Sequence, residues 1–188
     1  IASQFIWTAF DFIGEARPWP KRGSEAGILD LAGKPKPDFF FRQSFWSEKP
    51  MVYIGVTNTE ENARKRRNLK AEWSGDEGTS NYVSFYSNAE EVELILNGKS
   101  LGKQQVVYAD DAMPYFKVPY QDGRLEARAY VNGIVVAHTL LETPRELKKI
   151  KLTTAALPRV IEDPSVLIID LELVDKNGTL LNGKDEEV

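Results

Sequence analysis

The sequence predicts a mainly-β chain organised around an immunoglobulin-like β-sandwich. Between residues 51 and 143 apolar side chains recur with a period of two. Val83 and Phe85 alternate, as do Val92, Leu94 and Leu96, then Leu125, Ala127, Ala129 and Val131, then Val135, Ala137 and Thr139. Turn pairs separate these runs: Asn97-Gly98, Asp122-Gly123 and Asn132-Gly133. Asn-Gly suits a type I′ turn, because both central residues must reach positive φ. Several short strands with such turns in about 90 residues mark a small antiparallel sandwich, and a Greek-key order is the reading adopted.

The regions on either side differ in texture. Residues 1 to 50 hold Trp7, Trp19 and Trp46, three of the four tryptophans. The segment Ser3-Gln4-Phe5-Ile6-Trp7-Thr8 has the aromatic and β-branched content of a buried strand. Prolines and glycines from Gly14 to Pro37 then read as a loop. PDFFFRQSFWSEK reads as a short helix, with Pro37 in its first turn, Asp38 at its N-terminus, and Phe40, Phe41, Ser44 and Phe45 on one side. After Pro144, Leu147, Ile150 and Leu152 suggest one strand, and Leu167, Ile169, Leu171 and Leu173 another, with a turn at Asn177-Gly178. Too few residues follow Pro144 for a sandwich of roughly 100. The expected division is therefore 1–50, 51–143, and 144–188 as the first part of a second sandwich, with the fold continuing beyond both ends.

Composition removes several function classes. The net charge of −4 gives no electrostatic reason to expect nucleic acid. No apolar run reaches the roughly 20 residues that span a bilayer. The chain has no cysteine and one histidine, His138, so thiolate chemistry, a Ser-His-Asp triad and a multi-histidine metal site are all disfavoured. No glycine-rich phosphate loop is present, and neither metal nor cofactor is expected. The run Ala63-Arg64-Lys65-Arg66-Arg67 lacks interleaved aromatics and reads as a solvated basic patch at the domain junction. Asn177-Gly178-Thr179 fits a glycosylation acceptor, but the turn already accounts for it.

Acids and aromatics are the remaining candidates. Hydrolysis of a glycosidic bond needs two carboxyl groups about 5–9 Å apart. Asp11, Glu15 and Asp30 lie at the end of the first strand and after the loop, but no spacing marks one as proton donor and another as nucleophile. Each also reads as a loop carboxylate pairing with Arg17, Lys21 or Arg22. Trp7 offers an indole face able to stack on the C–H face of a sugar, although a strand-end Trp is more often core.

Two long stretches carry a resemblance. QFIWTAFDFIGEARPWP followed by GILDLAGKPKPDFFFRQSFW resembles the end of the catalytic barrel of glycoside hydrolase family 2, the β-galactosidase family. Ser24, Gly27, Ile28, Asp30, Leu31, Gly33, Pro35 and Lys36 fall on that family's loop pattern. NYVSFYSNAEEVELILNGKSLGKQ and LEARAYVNGIVVAHTLLETP are similar to the sandwich that follows the barrel. The resemblance implies the last strand, loop and helix of a (β/α)8 barrel before the sandwich. It implies a substrate-contacting role for Trp7, a structural or supporting one for Asp11, and a place for Asp30 in the loop near the site. Both catalytic residues of the family are glutamates on earlier strands, and no residue here matches either motif. The chain alone is therefore expected to be inert, with the remainder of the barrel as its partner and a glycan as the substrate of the intact enzyme. Similar enzymes are commonly exported in glycan-degrading bacteria, so a periplasmic or extracellular setting is expected.

Two other readings compete. A non-catalytic carbohydrate-binding sandwich would use a planar row of exposed aromatics drawn from Trp73, Tyr82, Tyr86, Tyr108, Tyr115, Phe116 and Tyr120, although such residues are more often the core and edges of a small sandwich. An assembly module would pair an exposed edge strand with another subunit, forming a homo-oligomer.

Overall fold

The computed structural model describes residues 5–15, 19–20, 22–66, 68–109, 113–147, 149–154 and 169–181. Its first part is a two-residue ladder, β1 (Phe12–Ile13) with β2 (Gly23–Ser24), followed by helix α1 (Pro37–Trp46). Proline at the first helical position suits the orphan N–H groups there. Among the described residues backbone pairing starts at Thr8, so Phe5, Ile6 and Trp7 do not form the buried strand expected of them. Phe5 and Trp7 are exposed, and Ser3 and Gln4 lie outside the described residues.

The middle of the chain forms two antiparallel sheets. Strands β3 (Val52–Thr57), β4 (Ser80–Ser87) and β7 (Tyr115–Pro119) make one, in the order β3-β4-β7. Strands β5 (Glu91–Leu96), β6 (Lys99–Gln105), β8 (Arg124–Val131) and β9 (Ile134–Glu142) make the other, in the order β6-β5-β8-β9. The chain crosses between sheets after β4, β6 and β7, which is the Greek-key logic of an immunoglobulin-like sandwich. A short helix α2 (Glu60–Arg64), capped by the Thr59 side chain on Asn62 N–H, links β3 towards β4.

Period-two alternation sends one face of each strand inward. Ile54, Val56, Val83, Phe85, Phe116 and Val118 meet Val92, Leu94, Leu96, Leu125, Ala127 and Ala129 in one core. Trp73 is fully buried within it, and its Nε1–H donates to Gln121 O at 2.9 Å. Burying each such large side chain contributes roughly 1.5–3 kcal/mol. The type I′ expectation holds at two hairpins, where Asn97 and Gly98 have φ of 51° and 81° and Asn132 and Gly133 have 50° and 76°.

A second cluster joins α1 to the outer face of the β3-β4-β7 sheet. Phe40 stacks on Tyr53 at 4.3 Å, Tyr53 stacks on Tyr86 at 5.8 Å, and Phe41 meets Tyr86 edge-on at 5.5 Å. The Tyr108 hydroxyl accepts from Ser87 N–H at 2.8 Å and donates to Ser87 O at 2.9 Å. The basic run reaches this junction, as expected, but Arg66 packs on an aromatic ring rather than standing only in solvent. Arg66 lies 3.9 Å from the centre of the Phe41 ring, a cation–π contact, and Arg67 is outside the described residues.

Beyond the sandwich, β10 (Lys149–Thr154) pairs antiparallel with β11 (Ile169–Val174). Residues 155–168, including the expected strand residue Leu167, and residues 182–188 lie outside the described residues. The following turn differs from the Asn177-Gly178 expectation. Gly178 N–H donates to Asp175 O at 3.1 Å, so Lys176 and Asn177 are the central residues and Gly178 follows at φ 89°.

Candidate functional site

The site is built on two backbone segments running side by side. Ile28 N–H donates to Thr8 O at 3.1 Å, Leu29 N–H to Ala9 O at 2.8 Å, and Asp11 N–H to Leu29 O at 2.9 Å. Phe10 and Leu29 form a parallel bridge. The contact is close enough to require glycine at position 27. A Cβ there would run into the backbone of Phe10 and Asp11 and stand 2.6 Å from Leu29 O.

The Asp11 carboxylate closes this arrangement. Its Oδ1 accepts from Gly27 N–H at 2.8 Å and from Lys36 Nζ at 2.8 Å, and its Oδ2 accepts from the same Nζ at 3.1 Å. Lys36 also donates to Glu25 O at 2.9 Å, and its own N–H donates to Ile28 O at 2.9 Å. One lysine thus ties strand end, loop and the start of α1 together. Among the described residues the acid's partner is Lys36, not Arg22. Arg22 instead lies 5.8 Å from the centre of the Trp19 ring, and Arg17 and Lys21 lie outside the described residues. Lys36 stands in the quoted loop pattern, but nothing in its spacing of 25 residues from Asp11 announces the pairing.

Asp30 holds the next turn. Its Oδ1 accepts from Ala32 N–H at 2.9 Å and Lys34 N–H at 2.8 Å, and Gly33 N–H donates to its carbonyl at 3.0 Å. Gly33 has φ 78°, in the left-handed region that favours glycine. Both carboxylates are occupied by backbone and Lys36 donors, which orients them as supports for the loop rather than as a proton-donor and nucleophile pair.

Trp7 stands where this ladder begins. It is 77% exposed, and its ring meets Phe12 edge-on at 6.4 Å between centres. An indole so presented has an open face for an apolar ring surface. The geometry therefore brings Trp7, Asp11 and Asp30 into one short stretch, with the aromatic open and the acids turned to structural use.

The sandwich offers no comparable platform from the aromatics singled out in the sequence. Trp73, Tyr86, Phe116 and Tyr120 are buried, and Tyr82 and Tyr115 pack against each other at 5.9 Å. The planar row that a carbohydrate-binding sandwich would need is not formed, because period-two alternation turns several of these rings inward. Burial pushes the Tyr53 hydroxyl up to about 12 and the Tyr86 hydroxyl still higher, with Arg66 opposing the latter. Among the described residues no group of three or more His, Asp or Glu is placed to hold a metal ion. No helix among them is long and apolar enough to cross a membrane.

Comparison with known proteins adds to this geometry. Residues 78–137 match a family described as "Domain of unknown function (DUF4982)". A Formosa agariphila protein provisionally named a β-glucuronidase is 35% identical over 184 residues, 95% of this chain and 17% of that protein. The β-galactosidase BoGH2A of Bacteroides ovatus is 30% identical over 191 residues, 100% of this chain and 21% of that protein. A crystal structure of a glycosyl hydrolase family 2 member from Bacteroides cellulosilyticus superposes with a TM-score of 0.77 at 36% identity, over 94% of this chain and 23% of that one. The chain thus spans about a fifth of the length of the proteins it matches. With sandwich, loop and helix all shared at this identity, the chain belongs to glycoside hydrolase family 2 and corresponds to a C-terminal part of its enzymes.

Proposed function

We propose that the chain is the part of a retaining, exo-acting β-galactosidase that closes the catalytic barrel and braces it with a sandwich. The observation carrying this reading is the exposed indole of Trp7 beside a loop clamped by Asp11 and Lys36. In the intact enzyme Trp7 stacks on the galactosyl ring of the substrate, while Asp11 and Asp30 hold the loop that surrounds it. The aromatic junction between α1 and the sandwich transmits no chemistry. It fixes where the end of α1 sits, and so where the loop and Trp7 sit.

The two glutamates of double displacement come from other strands of the barrel. The 188-residue chain by itself is inert, since no residue in it matches either catalytic glutamate. The intact enzyme acts outside the cytoplasm, on terminal β-galactosides of glycans.

A second reading replaces galactoside by glucuronide, favoured by the name of the 35% identical Formosa relative. Hydrolysis of paired chromogenic β-galactoside and β-glucuronide by the longer protein decides between them. A kcat/KM higher for the galactoside is the expected result. Preference for the glucuronide would move the assignment, and turnover of either substrate by the 188-residue chain would remove the claim of inertness.

A further inference from the structure

The sandwich contains a cleft that the glycosidase reading does not use. It has a volume of about 540 Å³, within the range of small-ligand sites. Its walls come from Asn58 after β3, Asn62 of α2, and a strap carrying Asn68, Lys70 and Glu72; Asn81 of β4 also lines it. The strap is held to β3 through Lys70, whose N–H and C=O bond to Val56 at 2.9 and 2.8 Å.

Four primary amides line this one cleft. Each carries two donors and an acceptor, the same mixed polarity as a sugar hydroxyl pair. Lys70 and Glu72 offset one another, so the lining carries no net charge to select an anion or a cation. Asn81 is the residue that packing alone leaves unexplained. It shares its strand face with Val83 and Phe85, where alternation calls for an apolar side chain. It is only 8% exposed, and its Nδ2 has no hydrogen-bond partner among the described residues. Unpaired buried donors of this kind are rare in folded proteins.

We propose that this cleft binds a neutral glycan through its hydroxyl groups, with Asn81 supplying the most buried amide contact. No aromatic side chain lines the cleft, so recognition runs through hydrogen bonds rather than ring stacking, and affinity falls in the millimolar range. The site is separate from the Trp7 stretch in residues and chemistry, and its occupation does not depend on the glycosidase assignment.

The test is a two-dimensional NMR titration of the chain, following the asparagine side-chain amides, with a galacto-oligosaccharide, glucuronic acid and glycerol as separate probes. Saturable shifts of Asn58, Asn62, Asn68 and Asn81 with the oligosaccharide are expected, with weaker binding of both other probes. A double variant, Asn58→Ala with Asn62→Ala, removes two amides from outside the core and is expected to weaken binding about fivefold or more. Absence of shifts at tens of millimolar oligosaccharide overturns the proposal. So do glycerol binding as tightly, tighter binding of glucuronic acid, or an unchanged affinity in the double variant.

Discussion

Lys36 Nζ lies 2.8 and 3.1 Å from the two carboxylate oxygens of Asp11, and this pair joins the residue just before β1 to the start of α1. The Asp11 side chain is 12% exposed, so water competes weakly for it. Asp11→Asn keeps an acceptor for Gly27 N–H but leaves the lysine without its counter-charge. The expected loss is about 1–3 kcal/mol of stability, read from denaturant unfolding. A double-mutant cycle with Lys36→Met should show the two losses to be strongly non-additive.

Gly27→Ala tests the close approach directly. Its new Cβ meets backbone atoms of Phe10 and Asp11, which have no freedom to rotate away. The loop should detach, seen as faster hydrogen exchange at Ile28 and Leu29, whose amides donate to Thr8 and Ala9. Unchanged protection at both amides would show that the segments tolerate separation.

Trp7→Ala should separate function from folding. At 77% exposure the side chain contributes little to stability, so a change within about 0.5 kcal/mol is expected. In the longer enzyme kcat/KM should fall roughly tenfold or more, a loss of at least about 1.4 kcal/mol in transition-state binding. An unaltered kcat/KM would remove Trp7 from the proposed sugar contact.

Two tyrosines of the α1 junction should respond in opposite ways to removal of a hydroxyl. Tyr108 bonds both the N–H and the C=O of Ser87, a residue 1% exposed. Tyr108→Phe strands those groups and should cost about 1–3 kcal/mol. The buried Tyr86 hydroxyl has no partner among the described residues, so Tyr86→Phe should be neutral or stabilising. Thermal unfolding of the two variants side by side checks the contrast.

Acid should loosen the turn after β11 through Asp175. Burial pushes its carboxyl up, but backbone N–H groups of Thr179, Asn177 and Arg145 donate to the carboxylate and hold the net value below the usual range. A group depressed in the folded state stabilises above its unfolded pKa of about 3.9, and the contribution disappears as pH falls through the lower folded value. Amide protection at Asn177 and Thr179 should therefore drop below about pH 4, and Asp175→Asn should flatten that dependence.

What could be read from residue order alone was whatever depends on local pattern. Alternation placed β4, β5, β8 and β9, the Asn-Gly pairs placed two type I′ hairpins, and Pro37 with the phenylalanines placed α1. Three strands of the sandwich escaped that reading. β3 (VYIGVT) is covered on both faces, Val52, Ile54 and Val56 by the core and Tyr53 by Phe40 and Tyr86, so it lacks the solvated polar face of a half-buried strand. β6 is an almost wholly exposed edge strand with polar residues on both faces, and β7 is only 5 residues long.

Residue order also singled out the candidate stretch around Trp7, Asp11 and Asp30, and the family to which the chain belongs. Only tertiary structure decided what each residue there does. Hydrogen bonds and ion pairs over 16 and 25 positions in sequence depend on where the chain returns, and no local rule encodes that return. Thus Asp11 became the clamp of a loop, Lys36 its partner, and Gly27 the point of nearest approach. Trp7, like Trp19, kept an open face, because exposure is a property of everything that surrounds a side chain.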